Sequence, residues 1–236
     1  VISCFNDWHF QPINKKQEVQ FKINKDLAKE SSFNVVKTDT ARDIIKKHTG
    51  FDSFVIPDCL RFKEYEIPKS FNNNSNLLWF GSSANHDTLF KGLDEIENTK
   101  IQIRVNVVSN ITQSLVNTFN NKNYQHIKIH LFPYSDKILT SVAFQSHAVI
   151  LPLINDSARK VKSSNRIIDS LNFGRFVIKS YVNANLAYDK YCFVGDIGDG
   201  VKWLFKNNKK AIKTAFDGQN YVKKNYSIET ISQMWF

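Results

Sequence analysis

The stretch Leu151–Ser180, LPLINDSARKVKSSNRIIDSLNFGRFVIKS, decides how the chain is read. An apolar run that ends at Pro152 opens into a basic loop rich in Ser and Asn. A short amphipathic helix is predicted over Asn165–Asn172, closed by Gly174, and an apolar strand follows at Phe176–Lys179. Two near-continuous apolar strands around one helix are the pattern of a parallel sheet buried on both faces. The helix start gathers Lys162, Ser163, Ser164, Asn165 and Arg166. The N–H groups and positive dipole end of a helix, joined by two cations, suit a diphosphate. Asp169 follows one turn later. An acidic residue in such a place can hold the hydroxyls of a ribose.

The same alternation extends in both directions. Before this stretch, strands are predicted at Val1–Phe5, Phe33–Lys37, Phe54–Ile56, Leu77–Phe80, Ile101–Val108, Ile127–Phe132 and Ala148–Leu153. Helices are predicted between them at Gln17–Glu30, Asp39–Thr49, Thr88–Glu97, Thr112–Asn121 and Ser135–Gln145. After it come a helix at Asn183–Lys190, a strand at Cys192–Val194, a long helix at Gly200–Lys224 broken at Gly218, and a last helix at Ile228–Phe236. The fold class expected is α/β, with a Rossmann-like parallel sheet covered by helices on both faces and a smaller α/β portion before it. IPKSFNNNSN, residues 67–76, has linker composition. The expected division is an N-terminal α/β portion over 1–66, a linker over 67–76 and the larger domain over 77–236.

Composition narrows the partners. The 236 residues are 42% hydrophobic, with 19 Phe and 8 Tyr, enough for a sizeable core. No apolar run approaches the roughly 20 residues that span a bilayer. VISCFNDWHF lacks a basic start and meets Asp7 early, so it does not read as a signal peptide, and the only Met is Met234, so the chain reads as processed or as a piece of a longer protein. Cys4, Cys59 and Cys192 are odd in number and show no CxxC spacing, which suits structural thiols in a reducing, cytoplasmic setting. The four sequons, at Asn73, Asn110, Asn155 and Asn225, read as chance matches in an Asn-rich chain. A net charge of +10 draws the surface to polyanions, including an anionic membrane surface. Without an arginine-rich tail or RNP-like motif, nucleic-acid binding rests on charge alone, and no specific nucleic-acid partner is expected. No GxGxxG, P-loop or Asp-x-Asp motif occurs, and His48, His126, His130 and His147 lack metal-ligand spacing. No metal and no cofactor are expected.

The order of motifs resembles the GT-B glycosyltransferases, in particular those of the family 4-like (group 1) type. SFVIPD at Ser53–Asp58, followed by a linker and LLWFGSSANHDTLFKGL at Leu77–Leu93, resembles the crossing between the two GT-B domains. AVILPL, KSSNRIIDSLNFGRFVI and NYSIETISQMW resemble the nucleotide-sugar-binding half. The resemblance implies a nucleotide diphosphate sugar as donor. It implies transfer to an acceptor hydroxyl on a glycan, lipid-linked or protein acceptor, in glycan or polysaccharide synthesis and without a metal. Asp169 matches the second acidic residue of the E-x7-E motif, the one that contacts ribose. Val161 stands where the first Glu belongs, so the full retaining signature is absent. The local pattern is closer to relatives with a K-S-x-N-R stretch. The resemblance also implies that Val1–Asp58 is only the last part of an acceptor domain, and that the terminal helix crosses back towards it.

In open parallel sheets ligands bind beyond the carboxyl ends of the strands, which selects the remaining candidates. Gly81 and Ser82 follow one strand and could approach a phosphate through their backbone, or form an ordinary tight turn. Pro133 and Tyr134 follow another, where a base could stack or a Tyr could line the core. Asp7 and His9 follow the first strand, as a base towards the acceptor hydroxyl or as ordinary loop residues; His86 is a similar candidate. Lys162 and Arg166 read as phosphate ligands or solvated cations, and Ser163, Ser164 and Asn165 as phosphate-binding backbone or simple caps. For Asp169 the plainer alternative is an ion pair with Arg166 or Arg175. Two other classes of function stay open: a non-catalytic nucleotide-sugar-binding module, and a basic nucleic-acid-binding protein.

Overall fold

The computed structural model describes residues 2–5, 15–62, 71, 75–154 and 163–236. Asp7, His9, Lys162 and most of the 67–76 stretch lie outside the described residues.

Three strands, β1 (Ile2–Phe5), β2 (Phe33–Val36) and β3 (Phe54–Val55), form a parallel sheet in that order. Helices α1 (Lys15–Glu30) and α2 (Asp39–Thr49) join them. Thr38 starts α2, its hydroxyl accepting from Ala41 N at 3.1 Å, and Gly50 ends it at φ 78°, a left-handed cap that returns its N–H to Lys46 O. Phe5, Ala28, Val36 and Ile45 make a small core between sheet and helices.

The larger unit holds β4 (Asn76–Phe80), β5 (Ile103–Ser109), β6 (Ile127–Pro133), β7 (Ala148–Leu151), β8 (Phe176–Lys179) and β9 (Cys192–Val194). All neighbours pair in parallel, in the order β6-β5-β4-β7-β8-β9. This is the doubly wound Rossmann arrangement, and the strand order reverses between β4 and β7. Alternate side chains of β4 feed two cores. Leu77 and Trp79 join Leu89, Leu93, Ile197 and Val201 on one face; Leu78 and Phe80 join Leu139, Ile168, Leu171 and Phe173 on the other. The helices supplying these faces are α3 (His86–Glu97), α4 (Gln113–Lys122), α5 (Asp136–Gln145), α6 (Asn165–Asn172), α7 (Ile197–Lys206) and α8 (Asn208–Tyr226). Helix α9 (Ile228–Ser232) then leads into a 3-10 turn at Gln233–Trp235. Ile231 of α9 packs with Val35 and Ile56 of the smaller unit.

Several element boundaries differ from the sequence reading for physical reasons. The long helix breaks at Asn207, not Gly218. Asn207 has φ −124°, and its N–H closes on Trp203 O at 2.9 Å. Gly218 instead lies within α8, where a Cβ would sit 2.7 Å from Leu171 Cδ2, so the glycine lets α8 approach α6. The last helix is shorter than Ile228–Phe236 and finishes in the 3-10 turn. Asn183–Tyr191 winds as a 3-10 helix rather than an α-helix.

Two measurable consequences follow from this packing. Helix α7 meets α3 so closely that a Cβ on Gly198 would lie 2.3 Å from Glu95 O. Gly198→Ala must therefore push α7 off α3, at a cost of about 1–3 kcal/mol. Thermal unfolding should fall by several degrees, whereas Gly50→Asn at the left-handed cap should cost much less. Among the thiols, Cys4 and Cys59 are exposed, whereas burial pushes the partly buried Cys192 up to about 12. Alkylation at neutral pH followed by intact-mass analysis should label two thiols quickly and the third only on unfolding.

Candidate functional site

The strand order reverses between β4 and β7, the place where open parallel sheets form a ligand crevice at their carboxyl end. After β4, Gly81 turns away with its N–H on Val108 O (3.2 Å) and its carbonyl accepting from Ser109 Oγ (2.7 Å). A Cβ there would meet the Trp79 ring at 3.1 Å and Arg166 Nη1 at 3.2 Å. A side chain at 81 would therefore crowd the Trp79 ring and Arg166, which reaches over from α6 to donate to Phe80 O at 3.4 Å. Ser82, one residue on, is exposed. Gly81 and Arg166 are separate candidates in the sequence, and the fold brings them together across the reversal point.

Near Gly81, His86 Nε2 lies 2.9 Å from Ser109 Oγ, and its ring packs on Trp79. Because the Ser109 hydroxyl donates to Gly81 O, its oxygen must accept from His86, which assigns the ring proton to Nε2. Burial pushes the His86 pKa below its ordinary 6.5, so the neutral ring is favoured.

Helix α6 begins at Asn165. Ser164 holds the cap position without a side-chain bond to the helix, and its carbonyl accepts from the N–H groups of Ile167 and Ile168. Its hydroxyl interacts instead with the Tyr188 phenol. Asn165 Nδ2 donates to Asp58 Oδ2 at 2.8 Å, and Asp58 in turn pairs with Lys37 at 3.0 Å. Both Lys37 and Asp58 lie just past strands of the smaller sheet. The carboxyl ends of the two sheets therefore face one another across α6.

Asp169 is 2% exposed. Its ion-pair partner is neither Arg166 nor Arg175 but Arg61. Arg175 is fully buried and donates to Ala143 O (2.8 Å) and Phe144 O (3.2 Å), neutralising the carboxyl end of α5. Burial raises the Asp169 pKa above the ordinary carboxylate value, while Arg61 works against that rise. The Arg61 guanidinium also lies 3.5 Å from Tyr134 Oη and over the Phe62 ring. Tyr134 is exposed at the end of β6 rather than lining the core, and its hydroxyl donates to Asp136 Oδ1 at 2.8 Å. Pro133 beside it is exposed too.

Gly81, Ser82, Ser163, Ser164, Asn165, Arg166, Asp169, Pro133 and Tyr134 thus lie on chain segments that leave one end of the larger sheet or cross it on α6. Four residues in the same region escape the sequence reading: Lys37, Asp58, Arg61 and Ser109. Strand-end placement marks the loops of Asp58 and Ser109, but no local pattern ties Arg61 to a helix more than a hundred residues away. Among the described residues no group of three or more His, Cys, Asp or Glu is placed to hold a metal ion, and no helix is long and apolar enough to cross a membrane.

No protein-family model matches the chain, and no curated protein sequence matches it. Solved structures do. A mutant form of Staphylococcus aureus TarM, in complex with fondaparinux, α-GlcNAc-glycerol and UDP, matches over 99% of this chain at a TM-score of 0.76 and 13% identity. Anabaena Alr3699/HepE in complex with UDP and glucose matches over 99% of this chain and 69% of its own, at 0.78 and 11% identity. A glycosyltransferase from Rickettsia africae matches over 98% of this chain and 68% of its own, at 0.69 and 12% identity. This chain spans 49% of the TarM chain, about half its length. Two Rossmann-like α/β units with facing parallel sheets are the GT-B fold, and at these identities the likeness establishes the fold alone.

The His86 environment makes a pH prediction. With its folded pKa below 6.5, the unfolded chain takes up the proton first. Stability from this group is complete above pH 6.5 and is lost as the pH falls from there through the folded pKa. Thermal melts between pH 7.5 and 5 should therefore decline less steeply in His86→Gln than in the wild type.

Proposed function

We propose that this chain is a GT-B glycosyltransferase of the family 4-like type, or the donor-binding part of one, that moves a sugar from a nucleotide diphosphate to an acceptor hydroxyl. The observation that carries this reading is the meeting of Arg166 with Gly81 at the strand reversal, which sets a guanidinium beside the turn that leaves β4. The likeness to TarM and HepE, both described in complex with UDP, supports it.

In this reading Arg166, Lys162 and the backbone at Ser163–Asn165 hold the diphosphate, with Gly81 and Ser82 on its other side. Charge develops on the diphosphate as the glycosidic bond breaks, and preorganised cations and N–H groups stabilise it most in that state. These groups do the work that a divalent cation does elsewhere, so the reaction proceeds without one. Asp169 holds the ribose, and Pro133 and Tyr134 flank the base. Asp7 and His9, assigned from sequence alone, act on the acceptor side. The division into an acceptor-side portion over 1–66, a connection over 67–76 and a donor domain over 77–236 belongs to the same proposal. So does work in the cytoplasm at an anionic membrane surface, on a glycan, lipid-linked or protein acceptor.

A thermal-shift screen of UDP-, GDP-, ADP- and TDP-sugars tests the reading. One of them should raise the melting temperature, since a ligand at a hundred times its Kd stabilises by about 2.7 kcal/mol. Arg166→Ala should weaken that nucleotide about tenfold to a hundredfold, the range for losing one charge-assisted hydrogen bond. A wild type indifferent to all four donors, or an Arg166→Ala variant responding like the wild type, would sink the proposal.

A further inference from the structure

The segment after β3 lies along one face of α6. Asp58 Oδ2 accepts from Asn165 at 2.8 Å, Arg61 pairs with Asp169, and Phe62 O accepts from Asn172 Nδ2 at 3.0 Å. Residues 165, 169 and 172 have the i, i+4, i+7 spacing of a single helix face. Residues 58–62 therefore form a strap on that face, anchored at the helix start, middle and end. The two outer anchors are neutral or singly charged hydrogen bonds. The middle one is an ion pair, and it lies on the carboxylate assigned to the ribose.

The Asp169 side chain is 3% exposed whereas that of Arg61 is 41% exposed. The carboxylate thus lies beneath a guanidinium that itself reaches solvent. The same guanidinium stands 3.5 Å from Tyr134 Oη, beside the place assigned to the base. One side chain therefore occupies both ends of the nucleoside position. A ribose diol could reach the Asp169 oxygens only from the side that Arg61 covers, since the Asp169 side chain is otherwise enclosed.

We propose that Arg61 closes the ribose end of the donor pocket and is displaced from Asp169 by the ribose hydroxyls when the nucleotide binds. This inference rests on the donor-site reading above. The ion pair is then a competitor of the donor built into the connection between the two units, and nucleotide binding is coupled to release of the strap's middle anchor. The guanidinium also stands over the Phe62 ring, 5.0 Å to the centroid, on the exposed side of the pair. The outer anchors at Asn165 and Asn172 keep the strap on the helix. Exchange of one partner for another on a single carboxylate needs no larger movement.

Calorimetric titration of the full chain with UDP, GDP, ADP and TDP separates the possibilities, and the nucleotide that binds is then compared with its 2′,3′-dideoxy counterpart. A pair closed about 90% of the time reduces apparent affinity about tenfold. Arg61→Ala and Arg61→Met should accordingly bind the ribonucleotide about five- to tenfold more tightly than the wild type. The dideoxy nucleotide, which cannot replace Arg61 on Asp169, should show no such gain. Equal or weaker ribonucleotide binding by both variants overturns the inference, as does an equal gain for both nucleotides. If neither variant folds, Arg61→Lys decides: a point charge without the guanidinium fork holds the carboxylate less well, so it should bind the ribonucleotide more tightly than the wild type, and equal or weaker binding overturns the inference. Should the wild type bind and Arg166→Ala fail to bind while Arg61→Ala matches the wild type, the donor site stands and the Arg61 role falls. If no protein binds any of the four nucleotides, both fall.

Discussion

A carboxylate inside an apolar helix must find a partner, and helix α6 is built around that constraint. Ile167, Ile168, Asp169, Ser170, Leu171 and Asn172 are all buried, so the helix has no face given over to water. Leaving the charge of Asp169 unpaired there would cost several kcal/mol. The cation comes from Arg61, in the segment that connects the two sheets. Seating α6 in the sheet and holding the smaller unit against the larger are therefore one event. Ser170 donates to Arg166 O at 2.6 Å, and Gln219 of α8 donates to Asn172 O at 2.8 Å, whereas Asn172 Oδ1 is buried without a hydrogen-bond partner among the described residues.

The position of α6 in turn follows from strand order. A helix that leaves β7 and returns to β8 crosses the sheet beside the reversal between β4 and β7, so its first turn overlooks the end of β4. Whatever stands at residue 81 must tolerate the Arg166 guanidinium, and a glycine does. Two residues about eighty-five positions apart become neighbours because the chain winds outward from β4 in both directions.

This explains what could be read from sequence and what could not. The apolar runs at Leu77–Phe80 and Ala148–Leu151 are local, and they predict the strand-helix alternation. Strand-end loops are equally local, which is why Gly81, Tyr134 and the start of α6 are accessible candidates. Gly218 misleads, because a glycine inside a helical pattern signals either a break or a close helix contact. Only the Leu171 side chain facing it distinguishes the two. Arg61 is invisible for a stronger reason. Its partner lies on a helix of the other unit, and no periodicity within either segment records the pairing. For Asp169 the sequence offers a cation nearby, either Arg166 or Arg175. Each is instead drawn away by a carbonyl, one at the end of β4 and the other at the end of α5.

The charge distribution completes the picture. Three carboxylates, Asp58, Asp136 and Asp169, influence one another near the strap, and Lys37 and Arg61 offset them from the side of the smaller unit. Arg166 is held apart from this group and reaches to Phe80 O, beside Gly81. Asp169 lies beneath the partly exposed Arg61 guanidinium and Asp58 pairs with Lys37, so neither carboxylate is presented to solvent without a cation beside it. The overall charge of +10 is thus a poor guide to this crevice, where the local arrangement of charges decides which ligands fit.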